Sequence, residues 1–470
     1  MKNLLFLLLI PSAFAQTYDL VLASGRVMDP ESGLDAVRHV GLRGNKIAAV
    51  SPTPLQGRAT IDVKGLVVAP GFIDLHAHGQ LPENYRLQAQ DGVTTALELE
   101  IGVNPVAPWY AARTGRALIN YGASSGHVGA SMAVLGDTGT FLPRDAATRL
   151  RPNAEQKERI EGLVRRGLDE GAVGIGFGIA YVPQSSRQEI YDLFRLAASL
   201  HVPCFVHMRH AGHPDPGGVL EALQEVLADA ATTQAPLHIV HINSSSGKVL
   251  PVTLRMIEGA RRAGLDVTTE SYPYTAGQTN LDSAIFDEGW QEKLDITYKD
   301  LQWVATGERL TAETFARYRK QGGTVIIHSM TEDMIRLAMS HPMVMIASDS
   351  FLSDGKGHPR SSGTFCRVLS RYSREQKALS LMDALRKMTL MPAQRLEKAV
   401  PAMLDKGRIR VGADADLSVF DAARVVDRAT FESPALPSEG IQHVLVNGVF
   451  VVRDGRVVEG VAPGQPVRRP

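Results

Sequence analysis

The sequence predicts an α/β fold: a (β/α)₈ barrel of the TIM type with a small β-sandwich domain built from both chain ends. Helical and strand patterns alternate from about residue 152, and short strands separated by turns occupy both ends. The chain has 470 residues, which exceeds one ordinary domain. We predict four segments: a signal peptide (1–15), the first part of the sandwich (16–67), the barrel (68–400), and the second part of the sandwich with a tail (401–470).

The first residues, "MKNLLFLLLIPSAFAQ", have the pattern of a signal peptide. Lys2 supplies a positive charge, residues 4–10 are apolar, and Ala13 and Ala15 form a small-x-small cleavage site before Gln16. The apolar run is shorter than the roughly 20 residues that a membrane span requires. We therefore expect an exported protein, periplasmic or secreted, with no membrane span after cleavage.

Short strands at both ends predict the small domain. "YDLVLASGRVMD" and "HVGLRGNKIAAV" lie near the amino terminus, and "GADADLSVFD" and "IQHVLVNGVFVVRDG" lie near the carboxyl terminus. We expect the two sets to pair with each other beside the barrel. The proline-rich end "APGQPVRRP" is expected to be a loose tail.

Repeated β/α units predict the barrel. "NAEQKERIEGLVRRGLDEG" places Ile160, Val164 and Leu168 on one helical stripe, and an apolar strand follows it. Apolar strands that alternate with such helices indicate a parallel sheet covered on its faces. The expected strands include "AVGIGFGIAY", "CFVHM", "LHIVHI", "DVTTESYPY", "TVIIHSM" and "VMIASDS". So many units over roughly 330 residues favour a closed barrel over an open sheet.

Charge and cysteine content exclude several classes. Lys plus Arg equals Asp plus Glu, 50 against 50, so no net field attracts nucleic acid or anionic lipid. Cys204 and Cys366 are too few for a disulfide framework, and we expect two buried free thiols. The sequence carries no signal for an oligomeric state.

Polar residues at the ends of the apolar strands predict the active site. His76 and His78 are two residues apart and face one side of a strand, as do Glu98 and Glu100. A buried carboxylate needs a positive partner. Active sites of such barrels lie at the carboxyl ends of the strands. The convergent residues are His76, His78, Glu100, His207, His241 and Asp349.

Imidazole and carboxylate together suit zinc or a similar divalent ion. Any one of these histidines, taken alone, is better explained as a hydrogen-bonded core residue. Their order and their common position at strand ends are not expected of a structural core. The pattern therefore predicts a site for one or two divalent ions per chain.

Several longer stretches resemble the N-acyl-D-amino acid deacylase (D-aminoacylase) branch of the amidohydrolase superfamily. They are "HMRHAG", "YPYTAGQT", "SDSFLSDGKGHPRSSGTFCRVLSRY" and "MTLMPAQRL". The resemblance covers almost the whole mature chain. It implies a zinc-dependent hydrolase that cleaves the amide bond of N-acyl-D-amino acids or of short peptides with a D-residue.

The resemblance also implies roles for individual residues. His76 and His78 match the ligands of one metal site, and His207 and His241 match those of the other. Asp349 matches the catalytic acid and base, which moves a proton between a metal-activated water and the departing amine. Tyr272 and Arg360 match residues that hold the substrate carboxylate.

The chain departs from the family pattern at several positions. The fourth strand, "GIGFGIAY", lacks the lysine that bridges two metals in many members of the superfamily. D-aminoacylases use a cysteine where this chain has Ile101, so we expect Glu100 to replace it as ligand, with Glu98 as a weaker candidate. Asn243 stands in place of a lysine and Gln278 in place of a serine, both expected to contact substrate. His127 is a further candidate near the site.

Three alternatives stay open at this point. A dipeptidase of the same superfamily, of the isoaspartyl or D-dipeptidase kind, would need a pocket for a free α-amine. A cyclic-amide hydrolase of the dihydroorotase or hydantoinase kind relies on the absent lysine. A non-catalytic periplasmic binding protein on a degenerate barrel is disfavoured by the intact set of histidines and Asp349.

Overall fold

The computed structural model describes residues 17–470, so the predicted signal peptide at 1–15 lies outside the described residues. Within them, no helix is both long and apolar enough to cross a membrane. The described chain contains the two expected parts, a barrel and a β-sheet domain.

Eight parallel strands form the barrel sheet, and each pairs with the next one along the chain. The first and last strands meet where Asp349 N donates to the His76 carbonyl at 2.7 Å and Ala77 bridges to Ser350. The barrel is therefore nearly closed, as the sequence predicts. The strands are Phe72–Asp74, Val93–Val103, Asn120–Gly126, Ile175–Gly178, Cys204–His207, Leu237–Ile239, Val267–Ser271 and Val344–Ile346.

Helices cover the outside of the barrel, and some of them begin at a capping side chain. Asn153 and Gln156 form a capping box at the start of Ala154–Asp169, and Ser186 accepts from Glu189 N. The other helices are Pro82–Gln90, Val106–Ala111, His127–Leu135, Ala146–Arg149, Arg187–Ser199, Val219–Thr233, Ile242–Ser246, Leu250–Arg262, Trp290–Leu294, Ala312–Gln321, Glu332–Ser340, Arg360–Arg367 with a π-helical extension Val368–Glu375, Leu381–Met388 and Leu390–Leu396.

Both chain ends contribute to one nine-stranded sheet, as predicted. The join is the antiparallel pairing of Val67–Pro70 with Leu417–Phe420. Val67–Pro70 spans the predicted boundary at 67/68, so the sheet extends slightly further along the chain than expected. The strands are Tyr18–Asp29, Leu34–Arg43, Lys46–Ser51, Gly57–Asp62, Val67–Pro70, Leu417–Phe420, Ile441–Val446, Val449–Arg453 and Arg456–Val457.

Two local predictions are wrong. Thr324–Ile327, expected as a barrel strand, instead pairs antiparallel with Gly277–Asn280 and Leu301–Trp303 in a separate sheet inserted before the last barrel strand. The carboxyl-terminal tail is not loose, because Val467 is buried and its N–H donates to the Tyr121 carbonyl at 2.7 Å. In both cases the segment pairs with residues far away in the sequence, which a local pattern does not reveal.

Candidate metal centre and active site

Four donor atoms converge at the carboxyl ends of the first, second and last barrel strands. His76 Nε2 and His78 Nε2 lie 3.1 Å apart, and each lies 3.1 Å from Glu100 Oε2. Asp349 Oδ1 lies 3.4 Å from both histidine nitrogens. These four side chains form a group able to hold a metal ion.

A second group lies on the other side of Glu100. Its Oε1 lies 2.6 Å from His207 Nδ1 and 3.0 Å from His241 Nε2, and the two nitrogens are 3.0 Å apart. Each group therefore uses a different oxygen of the same carboxylate. A carboxylate placed in this way is able to bridge two ions.

The electrostatics of Glu100 fit a cation site. Burial opposes ionisation of this carboxyl, yet the charge of His76 and hydrogen bonds from His207 and His241 hold its pKa well below its usual value. An ionised carboxylate that is only 3 % exposed requires positive charge beside it. Nitrogen and oxygen donors in this arrangement suit zinc. The donor set of the two groups therefore fits one or two divalent ions.

Side chains behind the donor atoms fix the histidine rings. His78 Nδ1 contacts Glu98 Oε2 at 2.8 Å, His76 Nδ1 contacts Glu270 Oε1 at 2.6 Å, and His241 Nδ1 contacts Ser245 Oγ at 3.0 Å. Carboxylates behind metal-binding imidazoles set the tautomer and the ring orientation. Glu98 belongs to neither donor group, so its position is that of an orienting residue.

Sequence reasoning missed Glu270. It lies in the seventh barrel strand, is 1 % exposed, and contacts both His76 and His238. Burial opposes its ionisation, but the charge of His76, the hydrogen bonds with His238 and His76, and the charge of His238 together lower the pKa of Glu270. The signal was present in "DVTTESYPY": a carboxylate within a buried strand, the same feature that singled out Glu100.

Asp74 joins the ends of the barrel beneath the site. Its Oδ1 accepts from His76 N at 3.1 Å and Ser348 N at 3.0 Å, and its Oδ2 accepts from the Ser348 hydroxyl. Burial raises the pKa of Asp74 to about 6 despite these hydrogen bonds. Asp74 thereby holds the strands that carry His76 and Asp349 side by side.

Asp349, the fourth member of the first donor group, also contacts a cationic side chain. Its backbone adopts the left-handed conformation, with φ +52°, and its Oδ2 lies 2.8 Å from Arg360 Nη1. Burial opposes ionisation of Asp349, but the charges of Arg360 and His76 hold its pKa below the usual value. An ionised carboxylate at this position is able to accept a proton.

Arg360 is buried, being only 2 % exposed, with its guanidinium over the Tyr272 ring at 4.5 Å. Within residues 17–470, its Nε and Nη1 atoms have no hydrogen-bond partner, although Nη1 lies 2.8 Å from Asp349 Oδ2. Tyr272, Gln278 and Arg360 line the same cavity as the donor atoms. An unsatisfied buried guanidinium beside a cavity is suited to an anionic ligand.

The cavity has a volume of about 250 Å³. It opens between the barrel and the inserted three-stranded sheet, and its walls combine metal-centre residues with apolar ones. The lining includes His78, Glu100, Phe141, Leu142, Tyr181, His207, His241, Tyr272, Gln278, Ile285, Leu294, Ile327, Asp349 and Arg360.

Two predicted candidates lie away from the cavity lining. Asn243 is fully buried, and its amide donates to the Tyr272 carbonyl at 3.2 Å, so it supports the backbone of Tyr272. His127 is fully buried, with Nε2 2.9 Å from Glu189 Oε1. In this structure neither side chain is positioned to touch a ligand in the cavity.

The sequence matches the amidohydrolase family over residues 59–452. An N-acyl-D-glutamate deacylase of Alcaligenes xylosoxydans xylosoxydans is 33% identical over 480 residues, covering 92% of this chain and 93% of that protein.

Solved structures are similar over nearly the full length. One is an N-acyl-D-glutamate deacylase from Bordetella bronchiseptica in complex with zinc and a phosphonate inhibitor, with a TM-score of 0.83 and 28% identity; the match covers 96% of this chain and 100% of that one. Another is a D-aminoacylase with a binuclear metal centre, with a TM-score of 0.82, 28% identity and the same coverage.

Proposed function

The chain belongs to the amidohydrolase family, and from this premise we propose that it is a zinc-dependent deacylase of N-acyl-D-amino acids. The observation that carries this proposal is Glu100, whose two oxygens face two histidine pairs beside Asp349 and Arg360. The names of its relatives support the substrate class, since they act on N-acyl-D-amino acids.

We assign zinc to the two donor groups. His76 and His78 would hold one ion, His207 and His241 the other, and Glu100 would bridge them. Zinc in such a site supplies Lewis acidity, which polarises an amide carbonyl and lowers the pKa of water. Glu98, Glu270 and Ser245 keep the imidazoles in the orientation that this requires.

Asp349 moves the proton. Its ionised carboxylate lies next to the donor groups, so it accepts a proton from the attacking water and then gives it to the departing amine. Arg360 lies on the opposite side of Asp349 and stabilises its negative charge. The same guanidinium, with Tyr272, offers a binding position for the α-carboxylate of the substrate.

The positions of Arg360 and the two donor groups explain how the enzyme could select one enantiomer. If the substrate carboxylate is bound at Arg360 and the amide carbonyl at the donor groups, two orientations of the α-carbon are left, and they differ in where the substrate side chain points. The preference for the D form rests on the relatives.

We further propose that the protein is exported, on the basis of residues 1–15. Mass spectrometry of the mature protein from the producing cell tests this directly. The expected amino terminus is Gln16, whereas an intact Met1 on all molecules would contradict export by this segment.

The function is tested by a substrate screen on purified protein with zinc content measured on the same sample. The panel contains N-acetyl-D-amino acids, their L enantiomers, dipeptides with a D-residue and cyclic amides. We expect hydrolysis of the N-acetyl-D-amino acids. Preference for dipeptides would identify a dipeptidase, and absence of turnover with bound zinc would indicate a binding protein.

A further inference from the structure

A second groove reaches the metal centre from another direction. Its volume is about 720 Å³, in the size range of small-molecule sites. His78, Ile101 and Phe141 line both this groove and the catalytic cavity, so the two spaces share a wall. The groove therefore lies next to the site already described.

The walls of the groove are largely apolar. They include Leu81, Val103, Pro108, Trp109 and Met132. Leu81 is 51 % exposed and Phe141 is 37 % exposed, and both are among the few large apolar side chains that the described residues leave on the surface. Clustered exposed apolar groups next to an active site are suited to an apolar ligand.

The position of the groove relative to Arg360 indicates which part of the substrate would bind there. This inference rests on the proposed function. Arg360, Tyr272, His207 and His241 line the catalytic cavity but not the groove, whereas His78 and Glu98 line the groove. A substrate held by its carboxylate at Arg360 places its amide at the donor groups. Its acyl end then extends past His78, towards the groove.

We propose that this groove binds the acyl chain, and that the enzyme favours N-acyl-D-amino acids with aliphatic chains of about six carbons or more over N-acetyl ones. The ring of Phe141 lines both spaces, 5.2 Å from the His78 ring and stacked on Phe351 at 6.1 Å. It forms the apolar surface over which the chain leaves the metal centre.

Arg113, in the wall of the groove, suggests a different ligand. Its guanidinium lies 3.9 Å from the Trp109 ring centroid, donates to the Trp109 and Gln80 carbonyls, and forms no ion pair among residues 17–470. A cation in this wall would suit an acyl chain that ends in a carboxylate. The predominance of apolar lining favours the plain aliphatic chain.

The test compares kcat/KM for N-acetyl-, N-hexanoyl- and N-succinyl-D-leucine. Complete burial of one methylene group raises affinity about fourfold, and burial of half its surface raises affinity about twofold. Four extra methylenes should therefore raise kcat/KM by roughly 16-fold to 250-fold from acetyl to hexanoyl. Equal values for the two would overturn the proposal, and so would a preference for succinyl.

A filling variant locates the effect in the groove. Ala133 is an exposed residue of the helix His127–Leu135 and lines the groove. Ala133→Trp should lower the hexanoyl-to-acetyl ratio of kcat/KM at least about fivefold, because each displaced methylene removes about twofold to fourfold. Ala228→Trp, at an exposed position of the distant helix Val219–Thr233, is the matched control and should keep the wild-type ratio. An unchanged ratio in Ala133→Trp would overturn the assignment.

A binding measurement separates this inference from the proposed function. Trp109 lies in the groove wall, so hexanoate should change the intrinsic fluorescence of the protein, and Trp109→Phe should remove that change. Hexanoate binding at Trp109 without any deacylase activity would overturn the proposed function only. Deacylase activity on N-acetyl substrates without hexanoate binding would overturn the groove assignment only.

Discussion

Replacement of Glu100 by glutamine tests the two-ion arrangement. The carboxylate offers Oε2 to His76 and His78 and Oε1 to His207 and His241, at nitrogen–oxygen distances between 2.6 and 3.1 Å. An amide has the same size but no charge, and its nitrogen cannot bind a cation. One of the two donor groups therefore loses a ligand outright, and the group with His207 and His241 would retain only two protein ligands.

The expected rise in zinc Kd is estimated by comparison with a residue that only orients a ligand. Loss of a carboxylate behind a metal-binding imidazole weakens metal affinity about 10-fold to 100-fold. Loss of a direct, bridging and charged ligand should exceed that range, so we expect the zinc Kd of Glu100→Gln to rise by more than about 100-fold. The bound zinc should fall from two ions to at most one per chain.

Glu98→Gln is the matched control. The amide oxygen of the new glutamine can still accept a hydrogen bond from His78 Nδ1, which lies 2.8 Å from Glu98 Oε2 in the wild-type chain. The zinc Kd should rise by about tenfold or less, with unchanged stoichiometry at saturating zinc. The assay is competition with a coloured chelator and elemental analysis after dialysis, with a thermal melt to verify folding. A loss of stoichiometry in Glu98→Gln but not in Glu100→Gln would refute the assignment of Glu100 as the bridge.

Three further predictions concern Asp349, Arg360 and the thiols. Asp349→Asn should retain zinc and fold but lose about 10²–10⁴-fold in kcat, since it removes the proton acceptor; near wild-type kcat would exclude it from that role. Arg360→Lys should lower kcat/KM for N-acyl-D-amino acids without changing zinc content, because lysine cannot give two parallel hydrogen bonds to a carboxylate; an unaffected variant would refute this. With Asn243 where the resemblance implies a lysine, we also expect neutral or apolar side chains to be preferred over D-glutamate or D-aspartate, and a strong acidic preference would contradict this. Cys204 and Cys366 are buried free thiols, so alkylation under denaturing, non-reducing conditions should add two groups to the intact mass, whereas no addition would indicate a disulfide.

The site could be predicted from the sequence because histidine or carboxylate side chains recur near the ends of several apolar strands. Each donor residue lies within or just after an apolar strand, towards its carboxyl end. A barrel brings the carboxyl ends of its strands to one face. The alternation of strand side chains predicts that His76 and His78 share a face. Both reach the first donor group, although the strand itself ends at Asp74. Glu100 was identifiable because a carboxylate within an apolar strand requires a compensating charge.

The remainder depends on partners that are far apart in sequence. Glu270 meets His76 across 194 positions, and no local pattern shows which buried carboxylate serves which imidazole. Thr324–Ile327 is an apolar run like a barrel strand, and only its antiparallel pairing with Gly277–Asn280 assigns it elsewhere. The resemblance predicts Asn243 as a substrate contact, yet its amide donates to the Tyr272 carbonyl. Side-chain direction at a strand end is set by such contacts, which sequence alone does not give.

Zinc titration of metal-free protein tests the central claim most directly. Bound zinc and the hydrolysis of N-acetyl-D-leucine are followed on the same sample, with N-acetyl-L-leucine in parallel. We expect hydrolysis of the D enantiomer to appear as zinc binds and the L enantiomer to stay nearly intact. Full hydrolysis by the metal-free protein, or stoichiometric zinc without hydrolysis of the D enantiomer, would contradict it.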